Sequence, residues 1–496
     1  MTGRWALLAL GLIAGAVAAL GHAPFGLWPL ALIGFAGLIA LIVREVTPRR
    51  AAWAAWAGGA GYFAVALHWI VEPFLVDAAT HGWMAPFALV FMAGGLALFW
   101  GLAAWLARRL AGGGALAVAL GLALAEMARG HVLTGFPWAL PAYLWTDTPV
   151  RMSAALWGPY GLTALTLVLA ALPSVGLSRL WRGGLTLAVL AGLFGAGAIV
   201  GLWAKPGEEI LDRPSVRLVQ PNVPQDEKWN PERAPVFMRR LLTSTAAGEA
   251  SPDLIVWPET AIPYPLDIAG PVLARAAIEA GGTPLITGLN RRTEDGQWFN
   301  ALVTVGPGGE VTETYDKVHL VPFGEYIPGR IDLLRRMAAF TGFGFTPGAA
   351  VRAIDTPLGR AVPLICYEAI FPGHIGRAIE RPDLLIQITN DAWFGTFAGP
   401  FQHLEQARFR AAEQGLPLIR AANTGVSAVI TPTGEVFASL GLGEEGYIDA
   451  EVPPPLSATV YARIGDLPVA ALLLLLFTAL SLTSMRNRIA NRRKPG

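Results

Sequence analysis

The sequence predicts a two-part protein: a multi-span α-helical membrane domain joined to an α/β domain of about 250 residues that lies outside the membrane. Three observations predict it. The 496 residues are 54% hydrophobic and only 15% charged, too apolar for a soluble chain of this length. Apolar stretches of spanning length crowd residues 1–204 and recur once in 456–496, the latter ending in a basic tail. Between them, over 205–455, charges rise, prolines multiply and short β-type runs alternate with turn signals. We therefore expect an N-terminal transmembrane domain of about seven spans, a soluble domain, and one C-terminal transmembrane helix, about eight spans in all.

The spans are placed near 5–21, 26–43, 52–71, 85–107, 110–127, 153–175, 184–203 and 467–484. Each covers most or all of a hydrocarbon core about 30 Å thick at about 1.5 Å per residue. The first imitates a signal peptide, with Arg4 before an apolar run ending in small residues, but further spans follow at once, so it reads as a retained helix. Arginines then set the orientation. Arg4, the trio Arg44, Arg49 and Arg50, the pairs Arg108/Arg109 and Arg179/Arg182, and the tail Arg486, Arg488, Arg492, Arg493 and Lys494 fall in every other connection. The loops near 22–25 and 72–84 carry no Lys or Arg; only a third loop on that face, with Arg129 and Arg151, breaks the bias. The positive-inside rule puts both termini in the cytoplasm and 205–455 across the membrane, in the periplasm of a bacterium-like cell. Trp28, Trp69, Trp83, Trp138 and Trp145 read as an interfacial aromatic belt, and Glu126 and Arg129 as anchors closing the fifth span.

In the soluble domain the β-type runs are VRLVQ (216–220), LIVW (254–257), LVTV (302–305), VPLIC (362–366), LLIQIT (384–389) and AVIT (428–431), with helical stretches at 271–280 and 402–414. The net charge of +1 favours neither nucleic acid nor an acidic partner. Seven histidines are scattered without HExxH or paired metal spacing, and no Gly-rich phosphate loop or dinucleotide fingerprint occurs, so neither a metal nor an organic cofactor is expected.

The single cysteine, Cys366, closes an apolar run. It has no partner for an internal disulfide and cannot furnish a Cys-rich zinc site. It is either an inert buried hydrophobe or a nucleophile. Glu259 likewise ends an apolar run, and the carboxyl ends of strands are where α/β folds gather ligands and catalytic groups. Lys317 sits among Val318, Leu320 and Val321, so it either snorkels or is buried with a partner. Each alone has an ordinary structural explanation. Together they form a usable set: a carboxylate to take the thiol proton, an ammonium to steady the thiolate and an oxyanion, and the N–H of Tyr367 as a second oxyanion donor.

The strings WPETAIP (257–263), KVHLVPFGEYIP (317–328), CYE (366–368) and NDAWFG (390–395) resemble the nitrilase superfamily, whose members carry a Glu-Lys-Cys triad on an αββα sandwich. With the membrane spans, the chain resembles end to end the apolipoprotein N-acyltransferases. That resemblance implies Glu259 as general base, Lys317 as cationic stabiliser and Cys366 as a nucleophile that becomes a thioester. It implies Glu325 as a second, supporting acid, and Trp229, Tyr367, Glu368 and Asn390 as residues shaping the pocket. It further implies a phospholipid acyl donor, a diacylated apolipoprotein acceptor, membrane lipids as partners and a bacterial inner-membrane location. The loops FTGFGFTPG (340–348) and WFGTFAGPF (393–401) are either ordinary loops or apolar lids gating lipid entry. Two rivals stand beside this reading. One is a membrane-tethered amidase that hydrolyses its thioester, and the other is a transporter or scaffold bearing a binding module with a dead site; nearly charge-free spans disfavour the second.

Overall fold

The computed structural model describes residues 2–176, 178–204, 213–327 and 344–492. Part of the 340–348 loop and the tail residues Arg493 and Lys494 lie outside these. Two compact units result: Met1–Trp203 with Thr459–Gly496, and Ala204–Ala458.

The first unit is helical: α1 (Thr2–Ala19), α2 (Trp28–Arg44), α3 (Pro48–Ala66), α4 (Ala85–Leu110), α5 (Ala115–His131), α6 (Ala154–Ala171), α7 (Arg179–Trp203) and a C-terminal helix Leu467–Arg492. Pro48 and the Thr47 hydroxyl, which accepts the Arg50 N–H at 3.3 Å, start α3. Glycines let α1 and α3 touch: a Cβ at Gly15 would fall 1.8 Å from the Gly58 carbonyl oxygen, and one at Gly61 2.1 Å from that of Leu12. Among the described residues, four helical stretches are long and apolar enough to cross a membrane, five if the bent pair Pro48–Ala66 and His68–Leu75 is one span. The first two expected spans are shorter apolar helices, and α5, with 17 residues, carries Glu126 and Arg129.

Two expectations fail here. Glu126 and Arg129 are not interfacial anchors: both side chains are fully buried and paired on the inner face of α5. Trp100 donates to Glu126 at 2.7 Å, and Arg129 donates to the carbonyls of Phe136 and Trp138. Nor are the tryptophans a uniform belt. Trp69, Trp138 and Trp145 are buried, because residues 137–146 fold inward; Trp69 packs on Trp138 at 4.4 Å between ring centroids, and Trp145 donates to Thr166 at 2.8 Å. Trp83 alone of the five is largely exposed.

The second unit is an αββα sandwich. Its strands are β1 (Ser215–Gln220), β2 (Leu254–Val256), β3 (Leu285–Arg292), β4 (Trp298–Val305), β5 (Val311–Asp316), β6 (Ile354–Thr356), β7 (Gly359–Ile365), β8 (Leu384–Thr389), β9 (Leu418–Ala422), β10 (Ser427–Ile430), β11 (Val436–Leu440) and β12 (Gly446–Glu451). One sheet runs β12-β1-β2-β3-β4-β5 and the other β11-β10-β9-β8-β7-β6. Strands β1, β2 and β3 are parallel, as are β7, β8 and β9; antiparallel strands flank each trio.

Alternation builds the layers. Val216, Leu218, Leu254, Val256, Ile365, Ile386 and Ile388 meet in the core between the sheets, while Val219, Ile255, Val362, Leu364 and Leu385 face outward. Those outward residues are covered by α8 (Ala234–Ala246) and α9 (Gly270–Glu279) on one sheet, and by α10 (Gly399–Gln414) on the other. Each such side chain contributes about 1.5–3 kcal/mol on burial. The layering aligns the carboxyl ends of the parallel strands, where the polar residues gather.

Candidate active site

Two of the expected residues sit on strained turns. Beyond β2, Trp257 and Pro258 lead to Glu259, and Thr260 next to it has φ +45°. Cys366 directly follows β7 with φ +51° and opens the 3-10 turn Cys366–Ile370. Non-glycine residues in this left-handed region cost about 1–3 kcal/mol, and persist where surrounding contacts overrule the cost. Gly288 of β3 makes the Glu259–Thr260 turn possible: a Cβ there would fall 2.5 Å from the Thr260 nitrogen and 2.7 Å from the Glu259 Cα. Lys317 follows β5, Asn390 follows β8 and Asn423 follows β9.

Glu259, Lys317 and Cys366 are all buried, at 6%, 1% and 6% exposure. Glu259 Oε1 accepts from Asn300 Nδ2 at 2.8 Å and lies 3.6 Å from Lys317 Nζ; Oε2 accepts the Asn390 backbone N–H at 2.9 Å. Lys317 donates to Glu325 Oε1 at 2.9 Å. The same Glu325 oxygen accepts from Asn300 at 2.9 Å, and Oε2 caps the Val321 N–H at 2.8 Å. Asn300 thus bridges the two carboxylates with one amide nitrogen.

Burial pushes the Cys366 thiol well above its ordinary range, the Glu259 carboxylate adds to this, and Lys317 opposes it. The resting sulfur is therefore a thiol, and a nucleophilic step needs a base at the moment of attack. Burial also pulls the Lys317 ammonium down, but the carboxylates of Glu325 and Glu259 outweigh it and hold the group above its usual value. The site keeps a fixed cation beside the thiol.

The other expected residues fall in three settings. Tyr367 is buried, its ring edge-on to His319 and Phe371 at 5.7 and 5.1 Å between centroids, and its amide directly follows Cys366. Glu368 touches none of the three: its Oε1 accepts the Val318 and His319 N–H groups at 2.7 and 3.1 Å, and its Oε2 accepts that of Ile365 at 2.8 Å. It ties the chain after Lys317 to the residue before Cys366, a brace rather than a pocket wall. Burial pushes its carboxyl up to about 7 against those three N–H donors and Lys317. Asn390 is a junction, donating to Gln225 at 2.7 Å and accepting from Asn423 at 2.8 Å. Asn423 in turn holds the Val223 backbone, so the loop bearing Trp229 is tied to the site. Trp229 itself is half exposed.

Several residues escaped the sequence reading. Asn300 lies mid-strand in β4 and was visible only as one polar residue in an apolar run. Lys228 is buried beside Glu259, hidden in an otherwise charged string. Behind Cys366, His403 of α10 and Gln387 of β8 reach the Cys366 carbonyl at 3.1 and 3.4 Å. His403 stands 2.9 Å from Asp391, which is also paired with Arg420 and accepts from Thr389 at 2.8 Å. Asp391 lay inside NDAWFG, Gln387 and Thr389 inside LLIQIT and His403 inside the helical stretch 402–414, but nothing in those strings marked them for the site. Among the described residues, no group of three or more His, Cys, Asp or Glu side chains is arranged to hold a metal ion.

Comparison with known proteins agrees with this architecture. Residues 215–461 match the family model described as carbon-nitrogen hydrolase, and residues 14–172 match the apolipoprotein N-acyltransferase N-terminal domain. Part of the chain is similar to solved structures, among them an amidase from Nesterenkonia sp. at 19% identity (TM-score 0.36, 52% of this chain and 95% of that one) and a carbon-nitrogen hydrolase from Helicobacter pylori G27 at 17% (TM-score 0.37, 49% and 89%). Curated relatives run the whole length. The apolipoprotein N-acyltransferase of Rhodopseudomonas palustris is 39% identical over 95% of this chain and 94% of its own. That of Caulobacter vibrioides is 42% identical over 95% and 93%, and that of Bradyrhizobium diazoefficiens 38% over 99% and 97%. On this end-to-end similarity, the chain belongs to the apolipoprotein N-acyltransferase family.

Proposed function

We propose that this membrane-bound acyltransferase moves a fatty acyl chain from a phospholipid to the N-terminal α-amine of a diacylglyceryl-cysteine on apolipoproteins, through a thioester on Cys366. One observation carries the residue-level reading. Glu259, Lys317 and Cys366, 107 positions apart from first to last, are brought to the ends of β2, β5 and β7 in one buried cluster.

In the first half-reaction Glu259 takes the Sγ proton as sulfur attacks the donor's ester carbonyl. Lys317 and the Tyr367 N–H steady the oxyanion. Collapse breaks the ester C–O bond, Glu259 returns the proton to the departing glycerol oxygen, and a lysophospholipid leaves a thioester behind. In the second, the acceptor's free amine attacks the thioester carbonyl and Glu259 takes a proton from the nitrogen. The C–S bond then breaks, the amide product leaves, and the proton restores the Cys366 thiol. Such a double displacement gives ping-pong kinetics.

The helical unit suits this task, because both substrates are lipid-anchored and drawing an acyl chain into water costs about 0.8 kcal/mol per CH₂. A small soluble amide would need no such anchor, which disfavours the membrane-tethered amidase. The arginine pattern supports cytoplasmic termini and a catalytic unit on the periplasmic face of the inner membrane. Intact mass of the full-length protein after incubation with a defined phospholipid tests the proposal. Wild type is expected to gain one hydroxylamine-sensitive acyl chain and Cys366→Ala none; an adduct persisting in Cys366→Ala would sink the assignment.

A further inference from the structure

Lys228 has no part in the steps above, yet it is buried (7% exposed) against the proposed base. Its Nζ donates to the Glu259 carbonyl at 3.2 Å and to the Thr260 hydroxyl at 2.6 Å. Those two residues form the strained turn, Thr260 holding φ +45°. The ammonium also lines a small cavity beside the site, with Phe237, Met238, Thr260 and Asn423.

A cation in such a place is costly unless its charge is used. Among the described residues, the hydrogen bonds of Lys228 run to two neutral acceptors rather than to a carboxylate. Burial accordingly pulls its ammonium down to about 8, and what opposes this is attraction to Glu259 and Cys366, the two groups between which the proton would move. A residue needed only to fill space or hold a hydroxyl could be neutral. Lys317 approaches Glu259 from the carboxylate side, whereas Lys228 holds its backbone.

We propose that Lys228 is a positioning residue of the acyl-transfer site: its ammonium clamps the Glu259–Thr260 turn so that the carboxylate stays aimed, and adds positive field where negative charge develops at Cys366. This rests on the reading of Cys366 as the acyl carrier. The groups acting on the Cys366 thiol are Glu259, Lys317, Asp391 and Lys228 itself, with the Thr389 hydroxyl beside it.

The test uses the full-length protein and the rate of thioester formation from phospholipid, followed by intact mass across pH, with thermal unfolding as the control for folding. Lys228→Met should fold and acylate about 100-fold more slowly, the scale of a misaimed catalytic group. Wild-type acylation should decline above pH about 8 as Lys228 loses its proton. Lys228→Arg should keep much of the rate and carry its plateau at least one pH unit higher, since a guanidinium stays charged. A folded Lys228→Met with wild-type rate and profile overturns the proposal. Should that variant fail to fold, an alkaline limb in Lys228→Arg identical to wild type overturns it. Wild type forming no adduct at all would instead remove the acyl-carrier reading beneath it.

Discussion

Lys317 donates to Glu325 at 2.9 Å while standing 3.6 Å from Glu259, so the cation's closest partner is the supporting acid and not the proposed base. The division matters for the chemistry. If Lys317 closed fully on Glu259, the ion pair would quench the base; Glu325 holds the ammonium back and leaves Glu259 able to accept a proton. Glu325→Gln removes that restraint with little change in volume. Its thioester formation is expected to fall about 100-fold while the protein still folds, checked by a single-turnover mass assay beside thermal unfolding. An unchanged rate would mean Glu325 only fills space.

Glu368 joins two segments through three backbone N–H groups, and its Oε1 also accepts from the Tyr315 hydroxyl at 3.2 Å. In Glu368→Gln one oxygen is retained for Val318 and His319, but the new NH₂ faces the Ile365 N–H, donor to donor. Leaving that buried donor without an acceptor should cost about 1–3 kcal/mol. The drop would be read as a lower unfolding temperature, with slowed acylation because the Cys366 turn loosens. A variant as stable as wild type would show the brace to be dispensable.

The Asp391 network makes a pH prediction. Burial pushes the Asp391 carboxyl up, but Arg420 and His403 outweigh it and hold it at about 2. An acid lowered on folding from an ordinary 3.8 stabilises fully above that value and loses the contribution as pH falls through about 2. Asp391→Asn should therefore be less stable near neutrality by about 3–5 kcal/mol, because Arg420 stays buried without its carboxylate. The gap to wild type should narrow between pH about 4 and about 2. Unfolding temperatures of both proteins across that range check it; a gap independent of pH would contradict the assignment.

In the helical unit, Glu126→Gln strands a fully buried Arg129, and about 3–5 kcal/mol of stability should go with it. Replacing both residues, Glu126→Leu with Arg129→Met, should recover most of the loss, since two apolar side chains need no partner. Detergent unfolding curves of the single and double variants decide; a double variant as unstable as the single one would show that each charge has separate essential contacts.

What was legible in the sequence was local. Runs such as VRLVQ, VPLIC and LLIQIT alternate inward and outward on fully covered sheets and read plainly as strands β1, β7 and β8. Strands β5, β11 and β12 did not, because they carry polar residues on exposed edges, as in VTETYD and GYIDAE. β6 is three residues long, too short for any period to register. Glu259 and Cys366 could be noticed because each ends an apolar run. Lys228, Asn300 and His403 could not, because only the folding of distant segments brings them to the same cluster. In the membrane unit, hydropathy located the helices, but it could not tell that residues 137–146 turn inward and bury Trp138 and Trp145.

The most direct test of the central claim is the fate of the preformed acyl-enzyme. Wild-type protein loaded from phospholipid and freed of donor is mixed with either buffer or a diacylated lipopeptide bearing a free N-terminal amine, and the mass of both partners is followed. The account predicts a thioester stable in buffer for many turnover times and discharged by the lipopeptide, which gains one hydroxylamine-resistant acyl chain. Rapid loss in buffer alone, with the lipopeptide left unmodified, would contradict transfer and make the enzyme a hydrolase.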